Sequence, residues 1–246
     1  MAARAQTAGS WNVRRGELLE YFDRTAVDAW RRLTSDAPVG RIRASVRAGR
    51  ERMRATLLAA LPSDLSGRRL LDAGCGTGAL ALEAARRGAE VMGVDVSPTL
   101  TGLAQERAAM VGLAGRVRFA VGDMLDRDWG VFDHVVAMDS LIHYPQDDVL
   151  AALAALAARA RCSVVFTVAP RTPALSLMHA AGKLFPRGNR SPAIVPLATD
   201  ALLTRLETRP GLDGWQKRRI GRVSAGFYIS EAMELSADAP RAEGGR

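Results

Sequence analysis

The chain has 246 residues, 48% of them hydrophobic, with a formal net charge of +8. That is enough for one sizeable α/β domain with an appendage, and nothing in it demands a second core. Two cysteines, Cys75 and Cys162, exclude a disulfide framework, no apolar run approaches the roughly 18 residues of a membrane span, and the basic balance disfavours basic partners.

The first residues, MAARAQTAGSWNV, lack the apolar core of a secretory signal, so a cytoplasmic chain is expected. Residues 1–62 hold twelve Arg against six Asp and Glu, which concentrates the positive charge ahead of everything else. The pattern predicts a helix from Glu17 to about Leu33, then a break at SDAPVG where Pro38 and Gly40 interrupt it. A second helix is predicted from Arg41 to Leu61, closed by Pro62. In it Ile42, Val46, Met53 and Leu57 recur at helical spacing, and Arg41, Arg43, Arg47, Arg50, Arg52 and Arg54 stand mostly off that line. Such a helix can lie over a site and present cations to carboxylates, or it can be a solvated surface helix.

From RRLLDA onward, short β-like runs alternate with helical ones: a helix over Ala79 to Arg87, EVMGVD, a helix over Leu100 to Val111, RVRFAV, FDHVVAM, a helix over Asp147 to Ala160, and SVVFTVA. This alternation predicts a parallel sheet with helices on both faces. A proline-rich insertion, about 170–197, breaks the rhythm. WQKRRIGRVSAGFYISEAMEL then reads as two strands joined around Ser224 to Gly226, and 237–246 as a frayed tail. The expected organisation is an N-terminal helical segment, 1–62, acting as a lid over the substrate, and a main domain, 63–236, whose insertion is expected to serve as part of the same lid.

LLDAGCGTGA places Gly74, Gly76 and Gly78 between a buried strand and a helix, where bare backbone lets a ligand lie against a helix N-terminus. The turn fits a dinucleotide as well as S-adenosylmethionine. Asp95, ending the second strand beside Val96, suits ribose hydroxyls under either reading. Asp72 favours S-adenosylmethionine, because a carboxylate there compensates a sulfonium and an ammonium and would repel a pyrophosphate. Asp123 in VGDM can accept from an adenine amino group while Met124 packs on the ring, and Met138 opens AMDSLIHY at the same carboxyl edge. Cys75 reads as a small filler bordering the ligand and not as a nucleophile. His134 falls within a strand pattern and His179 in the insertion, so neither is a first candidate for chemistry.

The series LLDAGCGTG, GVDVS, VGDM and MDSLIHY resembles the class I S-adenosylmethionine-dependent methyltransferases over roughly residues 65 to 235. That resemblance implies a Rossmann-like fold, with a seven-stranded, mostly parallel sheet ending in an antiparallel C-terminal hairpin strand. LLEYFDRTAVDAWRRL, APRTPALSLMHAAGKLFPRG and RRIGRVSAGFYIS together resemble the magnesium protoporphyrin IX O-methyltransferases of bacteriochlorophyll synthesis nearly end to end. What this implies is methylation of one porphyrin propionate, with S-adenosylmethionine as donor and no protein-bound metal. Tyr21 and His143 match that family's N-terminal Tyr-Phe motif and its post-strand His. His143 would orient the propionate or take a residual proton, and Tyr21 would donate to it or cover the donor. The resemblance also implies the porphyrin-binding subunit of magnesium chelatase as a partner besides the porphyrin, and the arginine-rich Arg41 to Leu61 helix leads us to expect a peripheral contact with a membrane surface or a partner protein. The runner-up is a class I methyltransferase acting on another apolar acceptor such as a quinone precursor. A basic segment binding nucleic acid is disfavoured, because few aromatics accompany the arginines and no RNA-binding module is present.

Overall fold

The computed structural model describes residues 2–25, 41–172 and 193–238. Its centre is a seven-stranded sheet: β1 (Arg69–Ala73), β2 (Glu90–Asp95), β3 (Val117–Val121), β4 (Phe132–Ala137), β5 (Ala160–Val168), β6 (Trp215–Ala225) and β7 (Tyr228–Ala237), in the order β3-β2-β1-β4-β5-β7-β6. Strands β3 to β5 pair in parallel across that order, and β7 runs antiparallel to both β5 and β6. The hairpin is therefore as expected, although β6 runs to Ala225, one residue past Ser224, and the link is Gly226 and Phe227. Strand order reverses between β1 and β4, which is where open α/β sheets form a crevice at the carboxyl ends of their strands.

Among the described residues six α-helices cover the two faces: α1 (Ala2–Glu20), α2 (Arg41–Ala59), α3 (Ala79–Arg86), α4 (Pro98–Met110), α5 (Gln146–Ala157) and α6 (Thr199–Glu207). One core packs Trp11 and Leu18 of α1, Leu150 and Leu153 of α5, and Leu202 and Leu206 of α6 on the sheet. The other packs Met53 and Leu57 of α2, Leu80 and Ala84 of α3, and Ala108 of α4 on the opposite side. In α2, α3, α5 and α6 this follows from the 3.6-residue spacing of apolar side chains.

Several boundaries differ from the sequence reading. The first helix begins at Ala2, not Glu17, and ends at Glu20 in a π-helical turn, Tyr21–Thr25. The remainder of the expected Glu17 to Leu33 helix lies outside the described residues, as does most of the insertion. In α2 the apolar line is shorter than expected: Met53 and Leu57 are fully buried, whereas Ile42 is 57% exposed. The helix placed over Asp147 to Ala160 stops at Ala157, and Ala160 already begins β5. Helix α6 was not anticipated. Among the described residues no helix is long and apolar enough to cross a membrane.

Candidate active site

A cleft of about 580 Å³ opens at the carboxyl edge of β1, β2 and β4. The turn after β1 forms its floor. Gly74 has φ +82°, and a Cβ there would stand 2.4 Å from the Ser140 Cβ, so only glycine lets the turns after β1 and β4 approach this closely. Asp72 lies beneath this turn, 2% exposed, and its Oδ2 accepts from the Ala81 amide at 3.1 Å. It thereby supplies the capping acceptor that Gly78, the residue before α3, cannot. Burial, followed by the neighbouring Asp95 charge, outweighs that hydrogen bond and pushes the Asp72 carboxyl up to about 7. Asp95 is also raised by burial, although the Gly76 and Ser97 amides donate to its two oxygens at 2.9 and 3.0 Å. Two carboxylates that ionise reluctantly in one cleft favour a cationic ligand, which restores both.

Cys75, Val96, Met124 and Met138 line the same cleft. The Cys75 thiol is buried and held well above its ordinary range by desolvation, so it stays protonated and unreactive. Ser140 Oγ, which also borders the cleft, is buried with no hydrogen-bond partner among the described residues. These features fit S-adenosylmethionine: acids for its cationic end, bare backbone along the turn, and thioether surface for a flat ring.

The end of the cleft at Asp123 is built from a loop and a distant helix. Asp123 Oδ1 accepts from the Leu125 amide at 2.9 Å, while Oδ2 accepts from Trp11 Nε1 at 3.0 Å and Arg15 Nη1 at 2.8 Å. The Trp11 ring stacks on Tyr144 with centroids 4.0 Å apart. Two more contacts pin this N-terminal segment: Ser10 Oγ donates to Asp148 at 2.8 Å, and Asp23 accepts from the Thr99 hydroxyl and amide at the start of α4. The loop holding Asp123 is itself fixed by Arg159, which donates to the Met124 and Asp126 carbonyls. Sequence reasoning found Asp123 but not Trp11, Arg15 or Arg159, because these partners are remote in the chain.

His143 sits in the short 3-10 turn after β4 and lines the cleft. Its Nδ1 lies 3.3 Å from the Ala193 carbonyl. A carbonyl only accepts, so Nδ1 carries the proton and Nε2 is left as the acceptor. Burial lowers the His143 pKa. The ring is therefore neutral at physiological pH. Phe22 stands edge-on to it, with centroids 6.2 Å apart, and Tyr21 packs edge-on against Phe22. The structure thus brings Phe22, not Tyr21, to the cleft wall. Arg47, Arg50 and Arg54 of α2 also line the cleft. His134 is spent on Ser163 Oγ, 2.8 Å away inside the sheet.

The family pattern for the magnesium-protoporphyrin IX methyltransferase C-terminus matches residues 137–237, and a methyltransferase domain pattern matches 70–161. The magnesium-protoporphyrin O-methyltransferase of Rhodobacter capsulatus is 49% identical over 221 residues, covering 89% of this chain and 95% of the relative. This chain belongs to the magnesium protoporphyrin O-methyltransferase family. The crystal structure of magnesium protoporphyrin IX methyltransferase from Synechocystis PCC 6803 with bound SAH superposes with a TM-score of 0.76 at 28% identity, covering 90% of this chain and 99% of that one. By contrast, the ubiquinone biosynthesis O-methyltransferase of Methylococcus capsulatus is 32% identical over 132 residues, 51% of this chain and 56% of its own length. The quinone-type relative thus shares a part of the chain, whereas the porphyrin methyltransferase family accounts for nearly all of it, appended segments included.

Proposed function

We infer that this chain transfers a methyl group from S-adenosylmethionine to one propionate carboxylate of magnesium protoporphyrin IX, giving the monomethyl ester in (bacterio)chlorophyll synthesis. The observation that carries this is the match to the Rhodobacter enzyme across 95% of its length. Acceptor choice resides in appended segments, and here those segments match together with the core.

The donor side is assigned to Asp72, Gly74, Cys75, Gly76, Gly78, Asp95, Val96, Asp123, Met124 and Met138, and the acceptor side to His143 and Tyr21. S-adenosylmethionine supplies an electrophilic methyl group that passes directly to the acceptor oxygen. An ionised propionate is already a nucleophile, so the protein's work is alignment and exclusion of water. Arg47, Arg50 and Arg54 attract carboxylates to the cleft that His143 also lines. Neutral His143 offers Nε2 to a residual propionate proton, or holds the acid while it ionises. Tyr21 acts through Phe22, whose ring borders His143.

Two finer expectations belong to the same reading. A poorly soluble, apolar product favours direct handover from a magnesium chelatase porphyrin-binding subunit. Exposed Ile42 and Phe227, beside the arginines of α2, support a peripheral membrane contact. The deciding experiment follows labelled methyl transfer to protoporphyrin with and without magnesium, and to a quinol. Label in magnesium protoporphyrin alone is expected; preferential labelling of the quinol overturns the assignment.

A further inference from the structure

We propose that Asp139 is a positioning residue for methyl transfer, locking the arginine-bearing helix α2 and the last strand β7 onto the turn that carries His143. The inference rests on the reaction assigned above. Asp139 lies two residues past the end of β4 and, among the described residues, is the non-glycine residue with positive φ, at 55°. Its side chain is 5% exposed, and its Oδ2 accepts from Arg50 Nη1 of α2 at 2.9 Å. Tyr228 of β7 donates its hydroxyl to both carboxylate oxygens, at 3.0 and 3.2 Å. The Asp139 amide donates to Thr167 Oγ1 of β5 at 2.7 Å. One residue thus ties three elements to the turn that ends at His143.

Stability alone is a poor reason for this arrangement. A left-handed conformation costs about 1–2 kcal/mol for a residue with a Cβ, and a buried ion pair is often no more stabilising than apolar side chains of similar volume. Helix α2 is already attached to the sheet by the buried side chains of Met53 and Leu57. What the apolar contacts do not set is the position of Arg50 along the cleft wall. A second constraint acts on it. A Cβ at Gly49 would stand 2.5 Å from Tyr228 Cδ1, so the backbone next to Arg50 is pressed against the same tyrosine ring that donates to Asp139. Strained, over-determined residues concentrate where geometry serves function, and Asp139, Arg50 and His143 all line the cleft.

Electrostatics add a second consequence. The charged groups acting on His143 are Asp139 from its own turn, Arg14 from α1 and Arg50 from α2; Asp139 raises the histidine pKa and both arginines lower it. Among these, Asp139 supplies the negative charge.

The test is Asp139→Asn in the full chain, because Asn tolerates the left-handed backbone and still accepts from Tyr228. Tyr228→Phe serves as a second variant, keeping the ring against Gly49. For Asp139→Asn we expect donor affinity within about twofold of wild type by calorimetry. Turnover on magnesium protoporphyrin should fall on the order of 10-fold to 100-fold. The acid limb of its pH profile should move down by roughly half a unit or more. Tyr228→Phe should lose turnover with the acid limb in place, and the double variant should be no worse than Asp139→Asn. Wild-type turnover and pH profile in Asp139→Asn overturn the proposal, even if the variant melts at a lower temperature. If Asp139→Asn loses donor affinity and turnover together, wild-type turnover in Tyr228→Phe overturns it. A wild-type protein that methylates no porphyrin sinks the assigned reaction instead, a result read before either variant is made.

Discussion

Replacing Asp72 with Asn tests whether the donor site is built around a reluctant carboxylate. Asp72 is raised from 3.8 to about 7, so ionising it in the ligand-free native protein costs about 4 kcal/mol relative to the unfolded chain. The sign follows from proton counts. Between about pH 4 and about pH 7 the native state holds a proton that the unfolded state has released, so stability falls as pH rises through that window and levels off above it. A cationic donor has the opposite preference and binds the ionised form. If only that form binds, affinity follows the ionised fraction and rises about 25-fold from about pH 5.5 to about pH 7.5, below the range where the ligand's own α-amino group titrates. Asp72→Asn keeps an acceptor for the Ala81 amide and removes the titration, so both slopes should flatten and affinity at neutral pH should drop. S-adenosylhomocysteine, lacking the sulfonium charge, should show a weaker pH dependence than S-adenosylmethionine in the same calorimetric titrations. Equal affinity for S-adenosylmethionine across this range, or the same slope in Asp72→Asn, refutes the electrostatic argument.

His143→Ala should lower turnover about 100-fold or more while sparing donor affinity; in the wild type the lowered His143 pKa should keep turnover flat below the ordinary histidine range, and steady-state rates against pH check both. Gly76 has φ +53°, so Gly76→Val strains the turn and fills the ligand's path; calorimetry should show donor binding lost in a protein with a wild-type circular dichroism spectrum. Trp11→Ala removes the stack on Tyr144 and the hydrogen bond to Asp123, and hydrogen exchange should show α1 losing protection while the sheet amides retain theirs. In the wild type the same measurement should show α1 gaining protection when donor product and porphyrin are bound.

The parts of this molecule that were legible from sequence are those encoded by neighbours in the chain. EVMGVD is β2 from end to end, and the glycine turn and Asp95 lie where their spacing puts them, because strand alternation and turn chemistry act over a few residues. Helix α1 was cut short since its apolar contacts are few, chiefly Trp11 and Leu18, and such a helix is held by docking and not by periodicity. Helix α6 carries a readable Leu202, Leu203 and Leu206 pattern that the proline-rich stretch before it obscured. Asp139 gave no local signal at all. Its partners are 89 residues away in either direction, at Arg50 and Tyr228, and its role depends on a backbone angle that composition does not report.

The place of β7 in the sheet has a consequence for how the protein is made. It is made after β6, yet it lies between β5 and β6. Until it arrives, β6 has no neighbour to pair with and β5 keeps an open edge. Domains fold largely as units, and exposed strand edges invite aggregation, so a nascent chain that has not yet reached β7 is both incomplete and adhesive. The same late segment delivers Tyr228 to Asp139 and Arg50. A chain that stops short of Tyr228 therefore lacks the hydroxyl that fastens Asp139 to the sheet, however well the earlier strands have paired.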